Sequence, residues 1–194
     1  MRELVYYIAM TIDGYICGPA DEVDFYPSSD EYTAWMIQRY GDALPTHVRR
    51  QVGVDDAPNQ NFDTIVMGRR TYDPALDIGI TSPYAHLRQY VVSRSLTESP
   101  DPAVQIIDDD PVAAVRALKA EDSPLDIYLA GGARIAGQLL PEIDRLIVKQ
   151  YPVVAGAGLP MFASEFSPTA FDLTDVQTFA GGNAVLDYRR PSSP

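Results

Sequence analysis

The 194-residue chain holds one cysteine, one tryptophan, two histidines and only 15 basic side chains against 27 acidic ones. A single cysteine excludes an intramolecular disulfide framework and sets a cytoplasmic location as the expectation. His47 and His86 stand far apart, with no cysteine or acid at metal-ligand spacing, so they read as surface or capping residues and no metal site is expected. The net charge of −12 excludes general nucleic-acid binding driven by attraction to phosphates. Long apolar runs are missing as well. The uncharged stretches Leu4 to Ile12 and Tyr151 to Ala163 fall short of the ~20 residues a membrane helix needs, and proline and glycine interrupt the second. Met1-Arg2-Glu3 leads straight into an apolar pattern with no leader-like basic region, so no membrane association is expected. A Walker A sequence and a GxSxG elbow are absent. The one GxG, Gly156-Ala157-Gly158, lacks a third glycine and precedes Leu159-Pro160 rather than a helix, which disfavours a doubly wound dehydrogenase.

What is present describes a globular chain. Hydrophobic residues make up 46%, and 13 glycines and 16 prolines are dispersed, enough apolar matter to bury one substantial core. A single domain over 1–190 is expected, with 191–194 (Pro-Ser-Ser-Pro) as a flexible tail. Acid is spread unevenly: residues 1–62 carry 4 basic and 10 acidic groups, 63–99 carry 4 and 4, 100–126 carry 2 and 7, and 127–194 carry 5 and 6. The neutral 63–99 window has two readings, an anion site or an ordinary fluctuation over a short span.

Runs rich in Val, Ile, Leu and Tyr give eight candidate strands: Leu4–Met10, Thr64–Met67, Tyr90–Val92, Val104–Ile107, Ile127–Ala130, Leu146–Val154, Phe171–Phe179 and Ala184–Tyr188. Several are apolar at consecutive positions, as strands covered on both faces are. Between them lie helical patterns. Asp110 is a natural N-cap, Pro111 suits the first helical position, and Val112, Val115 and Leu118 make one stripe. A second helix begins at Ser28, Ser29 or Asp30 and runs through Trp35 to about Tyr40. A third follows Gly131-Gly132 as far as Pro141-Glu142. Residues 43–62 read as an irregular insertion with one helical turn.

Three segments carry chemistry. In Thr64-Ile-Val-Met-Gly68-Arg69-Arg70-Thr71-Tyr72 an apolar strand ends at a glycine, and two arginines and a threonine open a helical turn. Backbone N–H groups, a hydroxyl and guanidinium groups at such a junction suit a phosphate or pyrophosphate. The competing reading is a plain strand end with solvated arginines. In Asp126-Ile-Tyr-Leu-Ala130-Gly131-Gly132-Ala133-Arg134-Ile135 a buried strand meets a glycine pair and a helix, so a ligand can approach the helix start closely. Tyr90-Val-Val-Ser93-Arg94 ends a third strand with a hydroxyl and a guanidinium.

In order and spacing these segments resemble the dihydrofolate reductase superfamily. In particular they resemble the branch that contains the C-terminal reductase domain of the bacterial bifunctional riboflavin biosynthesis enzyme and its stand-alone relatives. The likeness covers nearly the whole chain and rests on Ile8 to Ile16, MGRRTY at 67–72, VVSRSL at 91–96, LAGGARIAGQLLP at 129–141 and Pro152 to Phe162. It implies a dihydrofolate reductase-like three-layer α/β/α fold with a mixed, mostly parallel sheet of about eight strands. It also implies a NADPH-dependent oxidoreductase. Gly131, Gly132, Ala133, Arg134 and Ile135 would lie at the dinucleotide pyrophosphate, with a Gly131-Gly132 peptide that is often cis in such folds. Gly68, Arg69, Arg70 and Thr71 would hold the pyrophosphate and the adenosine 2′-phosphate, and Ser93 and Arg94 would flank the adenosine. NADPH is preferred to NADH because a 2′-phosphate needs cationic partners. Ala9, Asp13 and Ile16 would lie by the nicotinamide, although Asp13-Gly14 also reads as a turn that ends a strand. A homodimer like that of relatives is a further implication.

Folate reductases bind the pterin amidine with an acid near the start of the second helical region and a threonine on the strand after the glycine-pair helix. That strand position here is Lys149, which suits a carbonyl or phosphate rather than a cationic amidine, unless it points outward. Asp30 is the candidate acid, yet Asp30 and Glu31 at a helix start are favoured by the helix dipole alone. Asp21, Glu22 and Asp24 read as a solvated loop. Cys17 reads as a small buried side chain. The implied reaction is that of a 5-amino-6-(5-phosphoribosylamino)uracil reductase, with a hydride delivered to the sugar C1 of a small heterocycle-bearing substrate and a proton supplied nearby. The alternatives are a dihydrofolate or other pteridine reductase and an NADP-binding regulator without catalysis.

Overall fold

Leu4, Val5 and Tyr6, like Ile65, Val66 and Met67, are consecutive and fully buried, so the strands that hold them must be covered on both faces. The computed structural model, which describes residues 1–191, meets that demand with helices on each side of one sheet. In chain order the elements are β1 Leu4–Met10, β2 Tyr15–Cys17, α1 Asp30–Tyr40, α2 Thr46–Gln51, β3 Phe62–Gly68, α3 Arg69–Asp77, β4 Arg88–Val92 and β5 Val104–Ile107. They continue with α4 Pro111–Ala120, β6 Asp126–Gly131, α5 Ala133–Leu139, β7 Arg145–Gln150, β8 Leu159–Pro160, β9 Asp172–Thr178 and β10 Ala184–Arg189.

Eight strands form the sheet in the order β5-β4-β3-β6-β1-β7-β10-β9. Neighbours from β5 to β7 are parallel, and β10 pairs antiparallel with both β7 and β9. Val5, Tyr7, Ile65, Met67 and Ile147 pack against Tyr32 and Tyr40 of α1 and Tyr72 of α3. On the opposite face Leu4, Tyr6, Val66 and Leu129 pack against Val115 and Leu118 of α4 and Ile135 and Leu139 of α5. This is the three-layer α/β/α arrangement with a mixed, mostly parallel sheet that the sequence implies. Asp110 caps α4 through Val112 N and Ala113 N with Pro111 in the first turn, and Ser29, of the three candidates, caps α1 through Tyr32 N.

Three details depart from expectation. β7 stops at Gln150 and not at Val154: Pro152 has no N–H to give, and Val153 N turns back to Tyr151 O. Leu159-Pro160 pairs with β2 in a separate two-stranded ladder. The 43–62 insertion is more ordered than one turn, with a six-residue α2 preceded by a 3₁₀ turn over Gly41–Ala43. The expected tail lies, from residue 192 on, outside the described residues. No helix among the described residues is long and apolar enough to cross a membrane.

Two buried polar residues close the end of the sheet where β3 and β6 begin. The Arg2 guanidinium donates to Leu125 O (2.8 Å), Glu121 (3.0 Å), Thr64 Oγ1 (2.9 Å) and Asp63. Asp42 accepts from the backbone N–H groups of Gln60 (2.9 Å), Asn61 (2.6 Å) and Phe62 (3.0 Å), the last opening β3. His86 bonds Asp42 O and Thr46 Oγ1, a half-buried structural tie that accounts for this histidine without metal or catalysis. Asp42→Ala removes one acceptor from three donors, and an unmet buried donor costs about 1–3 kcal/mol. A loss of roughly 3 kcal/mol is expected on denaturant titration, with Asp42→Asn, which keeps one carbonyl oxygen, losing clearly less.

Candidate functional site

Parallel pairing brings the carboxyl ends of β4, β3, β6 and β1 to one edge, and there the glycine-containing junctions meet. Gly68 ends β3 and Gly131 ends β6. A Cβ added at Gly68 would lie 3.5 Å from Gly131 O, from Gly132 N and from Ile135, in van der Waals contact with the neighbouring junction. Gly131 has φ +97°, a conformation an L side chain resists, and the Gly131–Gly132 peptide is cis, as the resemblance implies. A Cβ at Gly132 would point to Thr71 Oγ1 at 3.9 Å. Neither Gly68 before α3 nor Gly132 before α5 supplies a side-chain cap. Two adjacent helices therefore begin, at the positive ends of their dipoles, with no side-chain cap on their first N–H groups.

Around this cradle, Ile16 and Ala133 share a small buried cluster with Cys17, Ile8, Leu159 and Met161. The β2–β8 ladder makes that contact possible, and it leaves no room for a Cβ at Gly158 against Cys17 O. Of the four arginines, Arg94 and Arg134 are exposed and form no ion pair among the described residues. Arg69 pairs with Asp73 one turn along α3, and Arg70 reaches Asp21 at 2.5 Å. Ser93 is buried, and its Oγ accepts from Ser95 N (3.2 Å) and Leu96 N (3.0 Å), which shapes the turn after β4.

The sheet face under α1 holds a second set. Ala9 and Lys149 are in register on β1 and β7, with Val185 of β10 beside Lys149. Lys149 therefore points inward, and its Nζ lies 3.9 Å from the centroid of the Tyr7 ring. Tyr7 sits among Tyr32, Tyr40 and Tyr128, and the Tyr32 hydroxyl donates to that of Tyr151 at 3.0 Å. Tyr26 continues the aromatic wall, 4.5 Å from Tyr151 between centroids, and donates to Tyr15 O. Burial, with no charged neighbour to offset it, pulls the Lys149 ammonium down to about 7.

The two acidic candidates lie outside that wall. Asp13, in the turn between β1 and β2, accepts from Thr11 Oγ1 (2.6 Å), Ala155 N (3.0 Å) and Gly156 N (2.7 Å). The Thr11 hydroxyl first, and then the two amides, hold its carboxyl down at about 2, so it stays ionised and ties the turn to the 155–156 loop. Asp30 is the exposed first residue of α1, next to the Ser29 cap. Two features escaped the sequence. The tyrosine wall is dispersed over residues 7 to 151, with no local pattern beyond a count of 12 tyrosines. Asp21 is not a merely solvated loop residue, because its carboxylate engages Arg70.

Residues 2–185 match the RibD C-terminal domain family. The chain belongs to that family. It is similar to two proteins of Bacillus subtilis (strain 168) that carry the name uncharacterized protein. YwjB is 30% identical over 192 residues, 97% of this chain and 98% of the relative. YyaP is 26% identical over 200 residues, 96% and 94% respectively. Among solved structures, a protein of Shewanella sp. PV-4 named for riboflavin biosynthesis is 23% identical, with a TM-score of 0.72 over 99% of this chain and 100% of that one. The Thermotoga maritima diaminohydroxyphosphoribosylaminopyrimidine deaminase/5-amino-6-(5-phosphoribosylamino)uracil reductase is 15% identical, with a TM-score of 0.62 over 98% of this chain. The chain spans 57% of that bifunctional protein's length. At these identities the solved structures show the fold, that of a riboflavin-pathway reductase domain.

The Lys149 environment has a measurable consequence. The unfolded chain keeps this proton up to about pH 10.5 and the folded chain only to about 7. Lys149 therefore destabilises the fold at pH 7 and below, and the cost shrinks as pH rises from 7 to 10.5. After allowance for the Tyr7 ring, Lys149→Met is expected to add roughly 2–4 kcal/mol near pH 6, fading toward pH 10. Denaturant titrations of both proteins across that range read the difference; a variant no more stable at pH 6 would put the amine in water.

Proposed function

We propose that this RibD C-terminal domain protein is a NADPH-dependent reductase acting on a ribosylamino-pyrimidine phosphate or a close analogue. The observation that carries the reading is the joint placement, at the carboxyl ends of the parallel strands, of the Gly68/Gly131–Gly132 cradle with its two open helix starts on one side of β1 and of Lys149 beside Ala9 on the other. The cradle fits a dinucleotide: no side chain stands at Gly68, Gly131 or Gly132, and the donors at its rim are N–H groups, Thr71 Oγ1 and guanidinium groups. Bound there, NADPH supplies a hydride. Gly131, Gly132 and the first turn of α5 would hold its pyrophosphate, Arg69, Arg70 and Arg94 its remaining phosphate charge, and Ala9 and Ile16 the nicotinamide end.

The residues of this chain then do three things. Ala9, with its single methyl group, leaves room above β1 for a flat ring. The tyrosine wall of Tyr7, Tyr32 and Tyr151 excludes water from the α1 side and strengthens any polar contact made there. Lys149, poised near neutrality, meets a substrate carbonyl or phosphate and can donate or take up a proton at Nζ. A pterin amidine finds no carboxylate in that wall, which disfavours a folate reductase.

Two measurements test the reading. NADPH absorbance followed with the ribosylamino-pyrimidine phosphate and, separately, with dihydrofolate should fall with the first only, and Lys149→Met should lower that rate about 100-fold or more, the scale of a lost proton-transfer group. Cofactor binding that oxidises with neither compound would favour the non-catalytic NADP-binding protein. Replacing Arg69 and Arg70 together by Ala is expected to weaken NADPH binding far more than NADH binding; equal losses would remove the 2′-phosphate assignment. The unpaired outer edge of β9, where Leu173 and Val176 are exposed, is our candidate for the homodimer contact.

A further inference from the structure

Of the four arginines at the cradle edge, Arg70 alone is held by a carboxylate from a distant segment. Its guanidinium meets Asp21 Oδ2 at 2.5 Å, across 49 residues of sequence. Asp21 belongs to the 18–27 stretch between β2 and α1 and has φ +65°, the one non-glycine residue at positive φ among the described residues. A knot of turns sets it there: Asp21 N donates to Gly18 O, Gly18 N to Glu22 O and Ala20 N to the Glu22 carboxylate. The far end of the same stretch rests on the Lys149 side, where the Phe25 ring packs at a tilt against Tyr26 and Tyr26 likewise against Tyr151, and the Tyr26 hydroxyl donates to Tyr15 O. One short strap thus touches both halves of the site.

We propose that Asp21 is the chain's own occupant of the anion position at Arg70, and that an arriving cofactor phosphate displaces it and releases the strap from α3. The proposal rests on the cofactor reading above. Both partners are substantially exposed, so the pair is weak, and a phosphate with more charge and three acceptor oxygens outcompetes one carboxylate. Cofactor arrival and the seating of the strap over the tyrosine wall are thereby coupled through one shared guanidinium.

Asp21→Asn tests this, because Asn accepts the same left-handed backbone; Asp21→Gly serves as a second variant if the first misfolds. Titration with NADPH is expected to give a Kd about 2- to 5-fold tighter for Asp21→Asn than for wild type, the scale of an exposed ion pair. In an Arg70→Ala background the same change should alter Kd by less than about 1.5-fold. Amide exchange over residues 18–24 of the cofactor-free protein should be faster in Asp21→Asn, with saturating NADPH abolishing the difference. If NADPH binds wild type and Asp21→Asn equally, or the variant more weakly, the proposal falls and the cofactor reading stands. If neither protein binds NADPH, both fall.

Discussion

Parallel pairing from β5 through β7 is the constraint from which the candidate site follows. Parallel strands in one sheet share a direction, so each βα junction must emerge on the same edge. Gly68, Gly131–Gly132, Ser93 and the turn after β1 come from distant stretches of sequence and become neighbours for that reason alone. At one of those junctions the backbone itself calls for glycine. Gly131 has φ +97°, which a side chain there would resist, whereas a Cβ at Gly68 would make only ordinary van der Waals contact with the Gly131–Gly132 backbone.

The acidic composition makes the distribution of cations informative. Six of the 15 basic side chains are committed to ion pairs away from the cradle: Arg2 and Arg88 with Glu121, Arg116 with Glu142, Lys119 with Asp144, Arg145 with Asp187 and Arg189 with Glu3. Arg2 is fully buried and saturated by acceptors at the edge where β3 and β6 begin, so that edge is neutralised internally. At the opposite edge Arg94 and Arg134 are left without carboxylates among the described residues, and Arg70 has only an exposed one. One edge is closed by its own charges and the other retains positive charge beside open helix starts, an asymmetry suited to a polyanionic ligand.

Lys149 represents the opposite choice. An amine set among apolar and aromatic groups costs stability, and Lys149 has buried Val185 as its cross-strand neighbour. Tyr7 recovers part of that cost through its ring face. Asp13 is held by a hydroxyl and two amides, a conventional structural carboxylate, and the contrast separates a group satisfied by its surroundings from one that is not.

The eight sheet strands, the Asp110 cap, the start of α1 to within Ser28, Ser29 or Asp30, and the glycine junctions were legible because each is a local signal: consecutive apolar residues, a capping side chain, or a glycine at a strand end. The β2–β8 ladder was not, since two or three residues per strand leave no periodicity. The Asp21–Arg70 pair was hidden because contact across 49 residues leaves no spacing to detect. Lys149 shows the limit most clearly. Where a strand is covered on both faces, apolar residues run consecutively and the alternation that would mark its inner side is lost, so the sequence alone determined that Lys149 lies on a buried strand. Which way it points was decided by the register of β7 between β1 and β10, which sets Lys149 beside Ala9 and Val185 under α1.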